Sequence, residues 1–500
     1  MKNFIPCIFL FFLNNNLLFS QTPYTAYNDL DIKSFVLTTG NKCLLLTYDG
    51  SFIETDTSTG NVYWKSQISF QGPPINNARK IIKTADQNYI AVISNLGVDN
   101  YFSAIKITGG GSLIWVKKYS FTSFNSIRDI IATPDSGFIM VGGGCNGTNI
   151  VFRCDVSGDI IWQKQYIDPM VPGGEGWYIS NAGNDSYYIF GRSNSNNYVF
   201  KIDGAGNLVW YRKILLNGVE WNGGIVSAKD GGVTIAGHTN VLDSNIYNLY
   251  ISHFDSSGNN LWLKVYTSPV ANSPVNYQLI QMLDNSYILA GLIYYNDIRN
   301  NQNLIVKTDA SGEVIWANTA GVYPDGLGTD GAYCIEKLSE SRIMVGGFNF
   351  LSKLNVNGSG WCHDEKIALS SNTPSYSIQD VSPLVYDITF QSDTIAYTYL
   401  FYSPTEPSAI CVNNTNAISE ADSKNDAAVF PNPFSESLNF ASGNDEPMML
   451  ILYDVTANKI LEHPCKTATL LMTNQLENGI YMYELLNHNG VIKKGKLVKI

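Results

Sequence analysis

Short apolar runs of five to eight residues, separated by Gly, Asn, Asp or Ser, fill the chain from about residue 29 to 365. The stretch YVFKIDGAGNLVWYRK, residues 198–213, shows the unit: an apolar run, Asp203, a glycine turn, and a second run through Trp210. Runs of this length bounded by turn residues predict strands joined by hairpins. Several, such as YIAVIS and FIMVGG, are apolar throughout instead of alternating. That pattern predicts sheets covered on both faces.

The phrase recurs. Its tryptophans are Trp64, Trp115, Trp162, Trp210, Trp262, Trp316 and, in a clipped copy, Trp361, about 50 residues apart. Such a period marks stacked supersecondary units of propeller-blade size. Each repeat holds four short strands, a to d, with the tryptophan on d. The expectation is an all-β fold: a seven-bladed (six to eight) β-propeller of four-stranded antiparallel blades over residues 22–365. Packing the sheets radially buries both faces and leaves only short edges. The glycine of each D-x-x-G turn supplies positive φ, and the aspartate caps turn amides. Each tryptophan is expected to fill the gap between adjacent blades, where losing the ring costs about 3–5 kcal/mol.

The phrase, nearest in TDTSTGNVYW, resembles the repeat of quinoprotein-like β-propellers, whose blades carry an Asp, a Gly and a later Trp. The resemblance implies the fold and no activity. Quinone dehydrogenases of that family carry a vicinal cysteine pair, and this chain has none.

Residues 366–426 hold further alternation and then a polar linker. The first part is an eighth unit, a strand closing the ring, or a packed connector; the pattern alone does not choose. From 427 to 500 the texture is that of a small β-sandwich of about seven strands. Three groups of residues stand out there: Pro431, Asn432 and Pro433 of PNP; Gly479 and Tyr481 of LENGIYMYEL; and Gly495, Lys496, Val498 and Lys499 of GKLVKI. In this order they resemble the type A C-terminal sorting domain of the Bacteroidetes type IX (Por) secretion system. That resemblance implies transport across the outer membrane by the type IX machinery, as a partner of this domain.

The N-terminal MKNFIPCIFLFFLNNNLLFSQ has Lys2 ahead of an apolar run and Ser20 before a cut, the form of a signal peptide spanning 1–20. It is too short for a permanent bilayer span, and no transmembrane segment is expected elsewhere. The expected location is therefore secreted or on the outer cell surface, reached through the periplasm. A formal charge of −11 excludes nucleic acid as a partner, because phosphate binding needs a basic surface. Of the cysteines, Cys362 and Cys411 flank one segment and are candidates for a staple. Cys43 and Cys334 lie in apolar strands and read as small buried residues.

Loop lengths point to one binding face. The a–b and c–d turns are terse, whereas the b–c and d–a connections vary, as in QGPPINN, DPMVPGGEG and GVYPDGLGTD. Variable loops on a rigid scaffold are where ligands are met. Residues entering strand a from that face should ring the channel mouth: Arg79, Arg128, Trp177, Trp221, Tyr277 and Tyr333. Aromatic rings with arginines suit sugar stacking or carboxylate clamping. The competing reading, favoured by residue type alone, has the tryptophans as packing groups and the arginines paired with acids such as Asp129. The turn aspartates Asp155, Asp203, Asp255 and Asp309 are held apart by the blades, so they read as caps and no metal is expected. No catalytic motif is present, and no cofactor is expected. The function expected is a binding or scaffold module for a glycan or protein. An extracellular carbohydrate-active or other hydrolytic enzyme remains open, because carboxylate pairs are found by proximity in space.

Overall fold

The computed structural model describes residues 24–411 and 428–499, apart from short stretches between strands, the longest being 321–330. Among them every regular element is a β-strand. The chain divides into two compact units, Met1–Asn413 and Asn414–Ile500.

The larger unit is built from antiparallel meanders. In one repeat, Glu175–Gly183, Ser186–Ser193, Asn196–Asp203 and Leu208–Leu215 pair in chain order. Four more sheets repeat this arrangement, beginning at Ala78–Lys83, Phe124–Ala132, Glu220–Ser227 and Ser273–Gln281. The first and last repeats share a strand. The second half of Tyr24–Leu37 pairs with Lys42–Thr47, and its first half pairs with Arg342–Asn355. The innermost strands touch in succession, and Ala332–Ser339 returns to Tyr24–Leu37. The sheets therefore close into a ring, which makes this unit a β-propeller.

Side chains stitch neighbouring inner strands. Ser34 Oγ accepts from Ile81 N–H (3.3 Å), Asp129 from Ile179 N–H (3.0 Å), Ser180 Oγ from Ser227 N–H (2.9 Å) and Gln278 Oε1 from Ile335 N–H (2.8 Å). Each bond satisfies an inner-strand donor with an acceptor of the preceding or an adjacent repeat.

The tryptophan phrase does its work between blades. Each indole lies on the turn glycine of the next repeat: Trp64 on Gly111, Trp115 on Gly158, Trp162 on Gly206, Trp210 on Gly258, Trp262 on Gly312 and Trp316 on Gly358. A Cβ at any of these glycines would stand 2.7–3.1 Å from the indole. Their φ values, 76–84°, also favour glycine. Four indole N–H groups donate into the next turn, to Val156, Gly204, Ser256 and Val356 carbonyls at 3.3, 2.8, 3.0 and 3.1 Å. Four residues after Trp, Tyr119, Tyr166 and Tyr266 donate to the carbonyls of Gly158, Gly206 and Gly312 at 2.7, 2.6 and 2.7 Å. In two of the three repeats without that tyrosine, Arg212 and Asn318 reach Gly258 and Gly358 instead. The glycine is thus both a turn residue and the floor under its neighbour's ring. Trp361 and Cys362 lie outside the described residues.

After the last repeat the chain runs back around the ring. Short strands are added antiparallel to the outer strands of successive repeats in reverse order: Asp364–Lys366 beside Val314–Ala320, Ser370–Asn372 beside Asn260–Thr267, and Ser377–Asp380 beside Leu208–Leu215. Leu384–Asp387, Gln391–Asp393 and Tyr397–Tyr402 continue along Ile160–Ile167, Leu113–Ser120 and Val62–Phe70. Ser408–Cys411 ends the circuit on the first half of Tyr24–Leu37. The segment is a girdle that covers open sheet edges, which otherwise template intermolecular pairing.

The smaller unit has a sheet of Ala428–Phe430, Ser437–Ala441 and Ala468–Met472. A second sheet contains Lys459–Cys465, Met448–Tyr453, Gly479–Asn487 and Gly490–Lys499. Phe434, Leu450, Leu452, Tyr481, Tyr483, Leu485 and Leu497 form one core between them. The PNP residues lie outside the described ones, but Phe434, which follows them, donates its N–H to Val498 O at 2.8 Å. Tyr481 is buried and donates to Glu477 O at 2.7 Å. A Cβ on Gly495 would meet the Tyr483 ring at 2.5 Å. Lys499 lies 5.4 Å from the Phe434 ring centroid. Lys496 is exposed and Val498 half-buried on the same strand.

Candidate functional site

The two ends of the propeller differ in chemistry. At the a–b and c–d end the charged groups serve the turns. Asp155, Asp203, Asp255 and Asp309 each accept two backbone N–H bonds of their own turn at 2.8–3.0 Å. A basic residue two positions before this turn meets the a–b aspartate of its own repeat: Lys106 with Asp86 at 2.6 Å, Arg153 with Asp135 at 3.0 Å, His253 with Asp230 at 2.9 Å. Lys106 is held at a buried position, and its bond helps hold the Asp86 carboxyl well below the usual carboxylate range.

At the other end, each innermost strand carries a β-bulge at the equivalent place. The register shifts fall at Lys33, Arg79, Arg128, Trp177, Gly223, Tyr277 and Tyr333. A bulge re-aims a side chain and is over-represented at functional sites. Five of the six residues expected at the mouth are therefore bulge residues. Trp221 stands two positions ahead of the bulge in its strand and is 36% exposed.

Contacts run along the bulge residues. The Tyr277 and Tyr333 rings meet edge to face at 5.0 Å, and the Lys33 ammonium lies 4.1 Å from the Tyr333 centroid. The Arg128 guanidinium lies 4.0 Å from the Trp177 centroid and donates to Glu175 Oε2 at 2.7 and 3.2 Å. Burial, and then the charge of Arg128, lower the Arg79 guanidinium to about 10, so it stays charged at neutral pH. In the competing reading, arginines pair with acids such as Asp129; Arg128 does pair with an acid, Glu175, while Asp129 itself takes Lys80 at 2.6 Å.

Trp221 belongs to a separate stack. The Arg192 guanidinium lies 3.6 Å from its centroid, the His238 ring is parallel to it at 6.1 Å, and Tyr247 meets His238 edge-on at 5.5 Å. Burial, then Arg192, push the imidazole of His238 down to about 3, so it is neutral at physiological pH. Lys33, Glu175 and Arg192 were not singled out by sequence reasoning. Their signal is positional: Lys33 precedes the first inner apolar run just as Arg79 and Arg128 precede theirs. Most of the long loops lie outside the described residues.

Among the described residues no group of three or more metal-binding side chains comes together. Among the described residues there is no helix long and apolar enough to cross a membrane. Cys43, Cys154, Cys334 and Cys465 are free and buried, and burial pushes the thiols of Cys43, Cys154 and Cys334 far up.

Residues 428–499 match the secretion system C-terminal sorting domain. The chain is thus a β-propeller protein bearing a type IX sorting domain, which directs export to the cell surface or extracellular space. Three solved structures are similar to its body. BamB from Moraxella catarrhalis shares 12% identity over 64% of this chain and 84% of that one, TM-score 0.37. The computationally designed Ika8 protein shares 12% over 67% and 100%, TM-score 0.40. YCF48 bound to D1 peptide shares 13% over 68% and 98%, TM-score 0.39. No curated protein matches the chain.

Proposed function

We propose that this is a seven-bladed propeller that binds a glycan or protein partner through its loop face. A signal peptide over residues 1–20 takes it to the periplasm, and residues 427–500 then engage the type IX machinery. The observation that carries the binding reading is the bulge repeated on the inner strands, which offers Arg79, Arg128, Trp177, Tyr277 and Tyr333 at one level of the mouth. Sequence repeats conserve fold-bearing residues from blade to blade. At the bulges the backbone device is constant while the side chain varies among Lys, Arg, Trp, Gly and Tyr, which suits a binding ring. The test is to screen the secreted full-length chain against immobilised polysaccharides and outer-membrane extracts. Retention without product release supports a binding module, and turnover of a retained polymer overturns it. Export is tested by placing residues 427–500 behind an exported fluorescent protein in a host with the pathway. A reporter left in the periplasm refutes the sorting role.

A further inference from the structure

Three guanidinium groups, Arg79, Arg128 and Arg192, share the carboxylate of Glu175. Arg128 is bonded to Glu175, and the charge of Glu175 also reaches Arg79 and Arg192. Among the described residues, the Nε atoms of Arg79 and Arg192 are buried and have no acceptor. Neither arginine has an acid within ion-pair distance among the described residues, whereas Lys33 is held by Asp31 at 2.8 Å. Glu220, the other acid whose charge reaches Arg192, is pushed up to about 8 by burial and is mostly protonated at neutral pH. A net positive arc thus sits on a chain whose formal charge is −11. A half-buried guanidinium whose Nε has no acceptor among the described residues is a place where a ligand carboxylate can supply one. A guanidinium presents a planar fork that fits a carboxylate in two bonds. Beside the fork stand the rings of Trp177 and Tyr277, aromatic surface of the kind that suits the apolar face of a sugar.

We propose that the ligand is an acidic polysaccharide whose sugar carboxylates bind Arg79 and Arg192. This deepens the loop-face reading and rests on it. The test uses the full secreted chain with polygalacturonate, its fully methyl-esterified form, a neutral glucan and polyglutamate. Polygalacturonate is expected to bind, with the ester at least about tenfold weaker, since a hydrogen bond to a charged group is worth that much. Arg79→Gln should weaken binding by a similar factor without lowering the melting temperature, because a half-buried charge without an ion-pair partner among the described residues is removed. Raised salt should weaken polygalacturonate binding. Equal binding of acid and ester, lost in Trp177→Ala but not in Arg79→Gln, overturns the acidic-ligand inference and leaves the loop face intact. Binding of polyglutamate alone overturns it in favour of an acidic peptide. Binding of none of the four overturns it outright, and the wider screen then decides the loop-face reading. A melting temperature that falls in Arg79→Gln with binding unchanged assigns the arginine to the fold.

Discussion

Replacing Gly258 by Ala tests the interlock between blades. The turn holds φ at +83°, and the new Cβ would stand 2.7 Å from the Trp210 ring. The left-handed backbone costs about 1–2 kcal/mol for a residue with a Cβ. Overpacking against the ring adds about 1–3 kcal/mol, for a total of about 2–5 kcal/mol. Trp210→Ala removes a ring that is 7% exposed and its bond to Ser256 O, and costs about 3–5 kcal/mol. In the double variant the overpacking vanishes with the ring, so the two effects fall short of additivity by about 1–3 kcal/mol. Gly183→Ala supplies the reference: φ is +78° with nothing within 4 Å of the new Cβ, leaving only the backbone penalty. Equilibrium urea unfolding followed by far-ultraviolet circular dichroism measures all four variants. If Gly258→Ala is no worse than Gly183→Ala, or the pair is additive, the ring and glycine do not dock as described.

Truncation after residue 363 removes the girdle and uncovers the outer strand edges; lower melting temperature and concentration-dependent association are expected in size-exclusion chromatography. Tyr119→Phe removes the 2.7 Å bond to Gly158 O and should cost about 1 kcal/mol of unfolding free energy. Burial raises Glu336 from 4.5 to about 7. A raised folded pKa gives stability that is complete below the unfolded value and is lost as pH climbs through the folded one. Stability of the native chain relative to Glu336→Gln should therefore fall between pH 4.5 and 7, by up to about 1.4 kcal/mol per pH unit; a pH-independent difference refutes this. Gly495→Ala should lower the stability of the C-terminal unit, because the Cβ would meet Tyr483 at 2.5 Å.

Periodicity carried most of the fold. Tryptophan spacing, uniformly apolar strands and D-x-x-G turns are repeated physical solutions, and each appears where expected. The glycine's second role as floor for the neighbouring ring was hidden, because that contact spans about 42–50 positions and lies across two repeats. Tyr119, Tyr166 and Tyr266, four places after Trp, are a sequence-visible part of the same joint. The girdle escaped because strands such as Asp364–Lys366 and Ser370–Asn372 are three residues long. So short a strand has no periodicity to read, and its pairing is set by the edge it meets. Residue type and position singled out Arg79 and Arg128, but not their electrostatics. Glu175 lies about 50 residues from Arg128, and only the ring brings them together. The bulge explains why Trp221, chosen for proximity to strand a, belongs to a different stack from Trp177.

Hydrogen exchange of the full chain, measured with and without whatever polymer it retains, separates the two ends of the propeller. Binding at the mouth predicts new protection at the starts of Ala78–Lys83, Phe124–Ala132 and Glu175–Gly183, with the D-x-x-G turns at Gly158, Gly206 and Gly258 unchanged. Protection of those turns, with the bulged strands unaffected, would place the ligand on the opposite face and contradict the assignment of the mouth.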